Sequence, residues 1–150
     1  MSARGIGWRL QASHHTFQIL TKRAERLESL SSQIKWTNNI WMGVSIENKS
    51  VLSRADHLKK TGAKVKFISA EPLLESISEL DLNGIDWLIV GGESGTKSRP
   101  IKEEWVIELK NLAEEYKIPF FFKQWGGKNK KKNGSELQGK QYKEYPNVKV

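Results

Sequence analysis

The sequence predicts an α/β fold of parallel (β/α) repeats with about five strands, a partial TIM-barrel-like fragment. Two observations predict it. Five apolar runs alternate with segments of helical spacing, and each run stops at charged or small polar residues. The runs end near positions 21, 45, 69, 91 and 123, so successive ends lie 24, 24, 22 and 32 residues apart. Each interval is about one βα unit.

The five predicted strands are short and apolar. They are Thr16 to Leu20, Ile40 to Val44, Lys64 to Ser69, Trp87 to Val90 and Pro119 to Phe122. The last has consecutive apolar residues without alternation, which is typical of a strand buried on both faces in a helix-covered parallel sheet.

Helical spacing of apolar residues predicts the segments between the strands. The predicted helices span Glu25 to Ile34, Asn48 to Lys60, Leu73 to Glu79 and Lys102 to Tyr116. The side chain of Asn48 can cap the second helix. Pro72 breaks the chain and leaves room for only a short third helix.

An open doubly wound sheet is the competing fold. No glycine-rich phosphate-binding fingerprint follows the first strand, which weakens the case for a dinucleotide-binding version. In both folds, functional side chains collect at the carboxyl ends of the strands.

Length and composition predict one domain with a core, since the chain has 150 residues of which 37% are hydrophobic. We expect a lead-in over residues 1–13, a partial barrel domain over residues 14–126, and a basic loop with a C-terminal tail over residues 127–150. No apolar run is long enough to cross a membrane and the start does not resemble a signal peptide. We therefore expect a cytoplasmic protein without membrane contact.

The chain has no cysteine and only three histidines. Thiolate catalysis, disulfides and cysteine-held zinc or iron–sulfur sites are thereby excluded for these residues, and we expect no metal site. The net charge of +8 favours an anionic partner, nucleic acid above all. Four lysines between positions 128 and 132 contribute to it, and that stretch can also be a solvated loop.

Gly91-Gly92-Glu93-Ser94 directly follows the fourth strand. Paired glycines allow a ligand to approach the backbone closely, and their free N–H groups can form an anion-binding nest. Glu93 could bind an amine or hydroxyl, or act as a general base. The alternative is a tight turn that needs glycine only for its geometry.

Two further strand ends carry a serine and a glutamate two positions apart, Ser45 with Glu47 and Ser69 with Glu71. Positions i and i+2 of an extended chain point to the same face, so each pair can aim a hydroxyl and a carboxylate into one shared cavity. Helix capping is the alternative for Glu47. Glu71 and Glu93 are the candidate catalytic residues.

Positive charge reaches the same edge through Lys22, Arg23 and Lys123, the last followed by Gln124 and Trp125. The lysines can hold a phosphate or carboxylate of a ligand. A structural ion-pair network is the alternative, and Trp125 either stacks on a ligand or belongs to the core.

Six segments resemble the C-terminal portion of a phage-derived family of unknown function, the gp thirty-seven / gp sixty-eight type. They are HHTFQILTKR, NIWMGVSIEN, VKFISAEPLL, DWLIVGGESG, SRPIKEEWV and PFFFKQWG. The resemblance runs from His14 to Trp125 and into Leu137 to Pro146. That family is similar to radical S-adenosylmethionine proteins, and its members carry a longer N-terminal part with a cysteine cluster expected to hold a [4Fe–4S] centre. This chain has no counterpart of that part and no cysteine.

The resemblance implies a radical-SAM-like barrel fragment whose edge residues line a cofactor or substrate cavity. S-adenosylmethionine is a possible ligand by this resemblance, but no iron–sulfur cluster is expected, so we expect no catalysis by this chain alone and leave open whether it is an enzyme. The ligand-binding candidates are Lys22, Arg23, Ser45, Glu47, Ser69, Glu71, Gly91, Gly92, Glu93, Ser94, Lys123, Gln124 and Trp125.

Three interpretations follow. The chain is a truncated radical-enzyme-like protein completed by a separate chain, or a nucleic-acid-associated phage protein, or a non-catalytic interaction or structural remnant. A barrel fragment exposes a strand edge, and exposed edges pair with other chains unless they are covered. We therefore expect homo-oligomers, a completing partner, or coverage by residues 1–13 or by the tail.

Overall fold

The computed structural model describes residues 15–148, so the predicted lead-in over residues 1–13 lies outside the described residues. Five strands form one sheet, and all four neighbouring pairs are parallel. The strands are β1 (Phe17–Thr21), β2 (Ile40–Ser45), β3 (Val65–Ala70), β4 (Trp87–Val90) and β5 (Phe120–Phe122). Their order in the sheet is their order in the chain. A doubly wound sheet needs a reversal of strand order, whereas consecutive strands of a (β/α) barrel have this order. The predicted α/β class with parallel strands is confirmed.

Helices alternate with strands along much of the chain, although their bounds are shorter than predicted. They are α1 (Ala24–Leu30), α2 (Ser53–Lys59), α3 (Glu103–Glu115) and α4 (Lys130–Asn133), with 3₁₀ turns at Ser31–Gln33 and Lys49–Val51. The Asn48 side chain accepts a hydrogen bond of 3.0 Å from the N–H of Ser50, and so caps the turn before α2. No helix between residues 15 and 148 is long and apolar enough to cross a membrane.

The predicted helix from Leu73 to Glu79 is wrong, because bends and turns occupy this stretch. Its first N–H groups bond to neighbouring strand ends: Leu73 donates to the carbonyl of Gly91 at 2.9 Å and Leu74 to that of Glu47 at 3.0 Å. Backbone donors satisfied by tertiary partners do not require a helical turn. The segment thereby ties the ends of β2 and β4 together.

One face of the sheet carries the main core. Leu27, Leu58 and Leu109 of α1, α2 and α3 pack in one cluster with strand residues such as Met42 and Ile68, and all five side chains are fully buried. Burying an aliphatic side chain of this size stabilises the fold by about 1.5–3 kcal/mol. The helices α1, α2 and α3 therefore lie on this face of the sheet.

The opposite face is aromatic, and its cluster contains no side chain from α1, α2 or α3 within the described residues. Trp87 lies at its centre, with ring centroids 5.8 Å from Trp41 and 5.5 Å from Phe67. A Cβ on Gly43 would lie 2.3 Å from the Phe67 ring, so glycine is needed there for Phe67 to lie across β2. In a closed barrel this face would be the interior.

The tail covers the outer edge of β5. A short hairpin, β6 (Glu136–Leu137) with β7 (Lys140–Gln141), leads into it. Beyond the hairpin, the carbonyl of Tyr142 accepts a hydrogen bond of 2.8 Å from the N–H of Phe122, and the N–H of Glu144 donates to the carbonyl of Phe120 at 3.3 Å. No equivalent pairing is present on the outer edge of β1 among residues 15–148. The β5 edge of the sheet is therefore covered by the tail, whereas the β1 edge has no such cover among the described residues.

Removing residues 140–150 is expected to convert a monomer into larger species, since it leaves the β5 edge unpaired beside exposed aromatic rings. Light scattering of the purified protein measures the change. A chain ending at residue 148 is the control and should stay monomeric. A truncated chain that remains monomeric at the same concentration with unchanged helix content, read by circular dichroism, would contradict the covering role of the tail.

Candidate functional site

The segments after β4 and β5 run directly against each other. The N–H of Gly92 donates to the carbonyl of Gln124 at 2.8 Å, and the N–H of Gly127 donates to that of Glu93 at 2.8 Å. A Cβ on Gly92 would lie 1.9 Å from the carbonyl oxygen of Trp125. Glycine is therefore required at position 92 by close backbone approach, and the parallel pairing of β4 with β5 continues into the loops.

The predicted anion-binding nest at the paired glycines is wrong. Neither Gly91 nor Gly92 has a positive φ. The N–H of Gly91 donates to Ala70 at 3.2 Å, and that of Gly92 is bonded to Gln124. These donors hold the strand ends in register and are not free for an anion, which supports the interpretation of a turn that needs glycine for its geometry.

Glu71 is joined to the residues that follow β5. Its carboxylate lies 3.3 Å from the Lys123 ammonium and accepts a hydrogen bond of 3.0 Å from the side-chain amide of Gln124. The same amide nitrogen donates to the carbonyl of Gly92 at 2.8 Å. Gln124 is buried, so its amide fixes the Glu71 carboxylate relative to the glycine turn.

A cavity of about 320 Å³, here called the rim cavity, opens at this place. Its lining brings together six of the predicted site residues, Glu71, Gly92, Glu93, Ser94, Lys123 and Gln124. Lys130 at the start of α4 also lines it. The sequence therefore identified most of the wall of this cavity.

A second cavity of about 280 Å³, here called the trough, lies on the aromatic face of the sheet. Phe67, Trp87, Phe121 and Tyr145 line it, together with Ser69, Glu71 and Lys123. Leu20 of β1 and Tyr145 of the tail stand at its sides and are 51% and 55% exposed. Because Glu71 and Lys123 line both cavities, the trough and the rim cavity adjoin at this ion pair.

Glu93 is held by Arg99. The guanidinium donates from Nε and Nη2 to the two carboxylate oxygens at 2.9 Å each, and the N–H of Arg99 adds a bond of 2.8 Å. Hydrogen bonds from the Arg99 side chain and backbone lower the pKa of Glu93 to about 2. A carboxylate with so low a pKa is a weak general base near neutral pH, so this geometry argues against a proton-accepting role for Glu93.

Glu47 is buried and paired with two cations. Its oxygens lie 2.7 Å from the Lys22 ammonium and 3.0 Å from Arg54, which also donates to the carbonyl of Ser45 at 2.9 Å. Burial, the largest single influence, raises the pKa of Glu47, but the hydrogen bond from Lys22 and the charges of Lys22 and Arg54 outweigh it and leave the pKa below its ordinary value. Lys22 and Arg23 line a separate cavity and do not line the rim cavity or the trough.

Trp125 does not line the rim cavity or the trough. Its indole N–H donates to the carbonyl of Glu136 at 2.8 Å, and its ring meets that of Phe122 edge-to-face at 4.7 Å. It therefore anchors the tail hairpin to the core.

Sequence reasoning missed several residues of the site. Phe67 and Phe121 precede Ser69 and Lys123 by two positions, so the period of two that placed the polar residues would also have placed these rings on the same face. Arg99 and Arg54 gave no such signal. Arg99 lies in the irregular segment after β4, and Arg54 lies in α2, where helical spacing does not show which strand end a polar side chain reaches.

Comparison with known proteins gives one match. A family model described as "Protein of unknown function (DUF5131)" matches residues 7–146. No curated protein and no solved structure matches the chain. The matched region includes the rim cavity and the trough.

Gly92→Ala is expected to destabilise the protein by about 1–3 kcal/mol or more, since its methyl group would overlap the carbonyl oxygen of Trp125. Urea unfolding measures the change in the free energy of unfolding. Ser94→Ala in the same loop is the control and should change it by less than about 0.5 kcal/mol, as at most exposed sites. Equal stability of the two variants would show that the loops can separate without cost.

Glu93→Gln should be less stable than the unchanged protein at neutral pH. Because folding lowers the Glu93 pKa from 4.5 to about 2, the ion pair stabilises the fold above the unfolded-state value and loses this effect as the pH falls towards 2. Thermal unfolding across this range should therefore show the two stabilities converging. Glu104→Gln on the exposed face of α3 is the charge-matched control. A constant difference between Glu93→Gln and the unchanged protein from pH 7 to pH 2 would refute the assignment.

Proposed function

The chain belongs to the DUF5131 family of proteins of unknown function, and we propose that it is a ligand-binding segment of a barrel. In this proposal Glu71 and Lys123 hold the polar end of a small molecule in the rim cavity. The aromatic rings of the trough hold its apolar end. Small-molecule sites commonly combine an apolar wall with a few convergent polar groups.

One observation carries the proposal: Glu71 and Lys123 line both cavities. A ligand with its apolar end in the trough would therefore meet a carboxylate and an ammonium at the end that faces the rim cavity. Both groups are partly exposed and face each other at 3.3 Å. Exchanging a partly exposed ion pair for two ligand contacts costs little, because such pairs contribute about 0–1 kcal/mol.

S-adenosylmethionine is the ligand that the resemblance to a phage-derived, radical-SAM-like family favours. Its amino-acid end carries an ammonium and a carboxylate, which match Glu71 and Lys123. Its adenine matches the rings of Phe121 and Tyr145, which line the trough, since aromatic faces stack on bases. The donor set therefore fits. The 150 residues contain no cysteine, so they supply no thiolate for the iron–sulfur centre that radical chemistry would need.

Glu71 is the preferred functional carboxylate in this proposal. Glu93 is occupied by three hydrogen bonds from Arg99, and Glu47 is buried between two cations. Among residues 15–148, Glu71 accepts one hydrogen bond, from the amide of Gln124, and faces the ammonium of a lysine at 3.3 Å. It is the carboxylate best able to receive a ligand ammonium.

The completing partner in this proposal is a separate chain that pairs with β1. A ring of identical copies would need β1 of one copy to meet β5 of the next, and the tail already occupies that edge of β5. The outer edge of β1 carries no such cover among residues 15–148. Strands added at β1 would also close the trough beside Leu20.

Calorimetric titration with S-adenosylmethionine tests the proposal. We expect binding to the unchanged protein, and about tenfold or greater loss of affinity in Glu71→Gln, because a hydrogen bond to a charged group contributes about 1.5–3 kcal/mol. Glu104→Gln, which removes a carboxylate that lines neither cavity, should bind as the unchanged protein does. Absence of binding at millimolar ligand, or equal losses in the two variants, would overturn the proposal.

A further inference from the structure

A third cavity, of about 370 Å³, lies between the segment after β1 and the start of α2. Lys22, Arg23, Arg26 and Arg54 line it, with Glu25 as the one carboxylate in its wall. We call it the basic cleft. It shares no lining residue with the rim cavity or the trough, so its role is independent of the function proposed above.

Two of the four cations, Lys22 and Arg54, are held by a buried carboxylate. The buried carboxylate of Glu47 pairs with Lys22 at 2.7 Å and with Arg54 at 3.0 Å, and Arg54 is held further by the carbonyl of Ser45. One carboxylate therefore balances two cations. This arrangement leaves a net positive charge at the cleft and restricts the motion of the Lys22 and Arg54 side chains.

The other two cations have no partner among the described residues. The guanidinium groups of Arg23 and Arg26 make no hydrogen bond or ion pair there, and both residues are exposed. Arginine presents a planar fork of N–H donors that matches two oxygens of one anion. The guanidinium groups of Arg23 and Arg26, beside two cations that Glu47 holds in place, can therefore bind an oxyanion together.

The nearby acidic groups do not neutralise this charge. Glu28 is bonded to His57 Nδ1 at 2.5 Å, and Glu25 lies 3.8 Å from His57 Nε2 with its side chain almost fully exposed. Both carboxylates therefore face His57 at the side of the cleft. The four cations outnumber the carboxylates available to them.

We propose that the basic cleft binds a phosphate group. Four cationic side chains and the nearby hydroxyl of Ser53 supply the donors that phosphate oxygens accept, and paired arginines give bidentate contacts. The cavity volume lies in the range of small-molecule sites. The interaction is electrostatic and should weaken as the salt concentration rises.

The phosphate has two possible sources, a free phosphate compound or the backbone of a nucleic acid. The net charge of +8 would support the second source by attracting a polyanion at long range. A free compound would depend on the cleft alone. The two sources can be separated by comparing a small probe with a long one.

The test measures pyrophosphate by calorimetry and a fluorescently labelled single-stranded oligonucleotide by anisotropy, at one fixed ionic strength. The variant is Arg23→Gln with Arg26→Gln. The control is Lys131→Gln with Lys132→Gln, which removes the same charge from α4, outside the cleft. We expect about tenfold or greater loss of affinity in the arginine pair and less than about twofold loss in the lysine pair.

If the arginine variant loses affinity for pyrophosphate, the site is assigned to free phosphate compounds. If it loses affinity for the oligonucleotide alone, the site is assigned to a nucleic-acid backbone. The arginines are exposed, so thermal unfolding should show that the variant keeps its fold. Absence of binding to both probes, or equal losses in the two pairs, would overturn the proposal. Neither result depends on S-adenosylmethionine binding at Glu71.

Discussion

The close contact between the backbones that follow β4 and β5 is the constraint on which the candidate site depends. Hydrogen bonds from Gly92 to Gln124 and from Gly127 to Glu93 carry the parallel pairing past the ends of the strands. A side chain at position 92 would not fit, since its Cβ would lie 1.9 Å from a carbonyl oxygen. Once the two loops are in register, the amide of Gln124 reaches both Gly92 and Glu71. The position of the Glu71 carboxylate therefore follows from backbone geometry one strand away.

Each of the three carboxylates at this edge of the sheet pairs with at least one cation. The pairs differ in geometry and burial. Glu47 is buried between Lys22 and Arg54, and Glu93 is enclosed by a bidentate arginine. These arrangements favour the ionised form and leave little capacity for another partner. The Glu71–Lys123 contact is longer, at 3.3 Å, and the Glu71 carboxylate is less buried than that of Glu47. Residues of the same type at equivalent strand ends thus differ in their capacity for a further partner, because the cations that they already contact differ.

The repeat spacing and the polar residues after each strand were sufficient to predict the parallel sheet and most of the wall of the rim cavity. They could not predict the segment from Leu73 to Glu79, because its first backbone donors bond to Gly91 and Glu47, which are distant in sequence. The same limit explains Arg99. Its pairing with Glu93 depends on the path of an irregular loop, and local periodicity carries no information about it. Strand parity predicts which face a side chain occupies, but it does not predict which of several charged neighbours that side chain will contact.

The aromatic face connects the proposed ligand site to both edges of the sheet. Tyr145 reaches the trough from the tail that covers β5, with its ring 5.2 Å from that of Trp87, while Leu20 reaches it from β1. One wall of the trough is thus supplied by the segment that protects an edge. The other wall is the edge that lacks such protection among the described residues. A chain that paired with β1 would bury Leu20 and remove water from the trough, and exclusion of water strengthens charged contacts such as those of Glu71 and Lys123. Partner binding at β1 and ligand binding at Glu71 are therefore expected to favour each other, since both depend on the same wall.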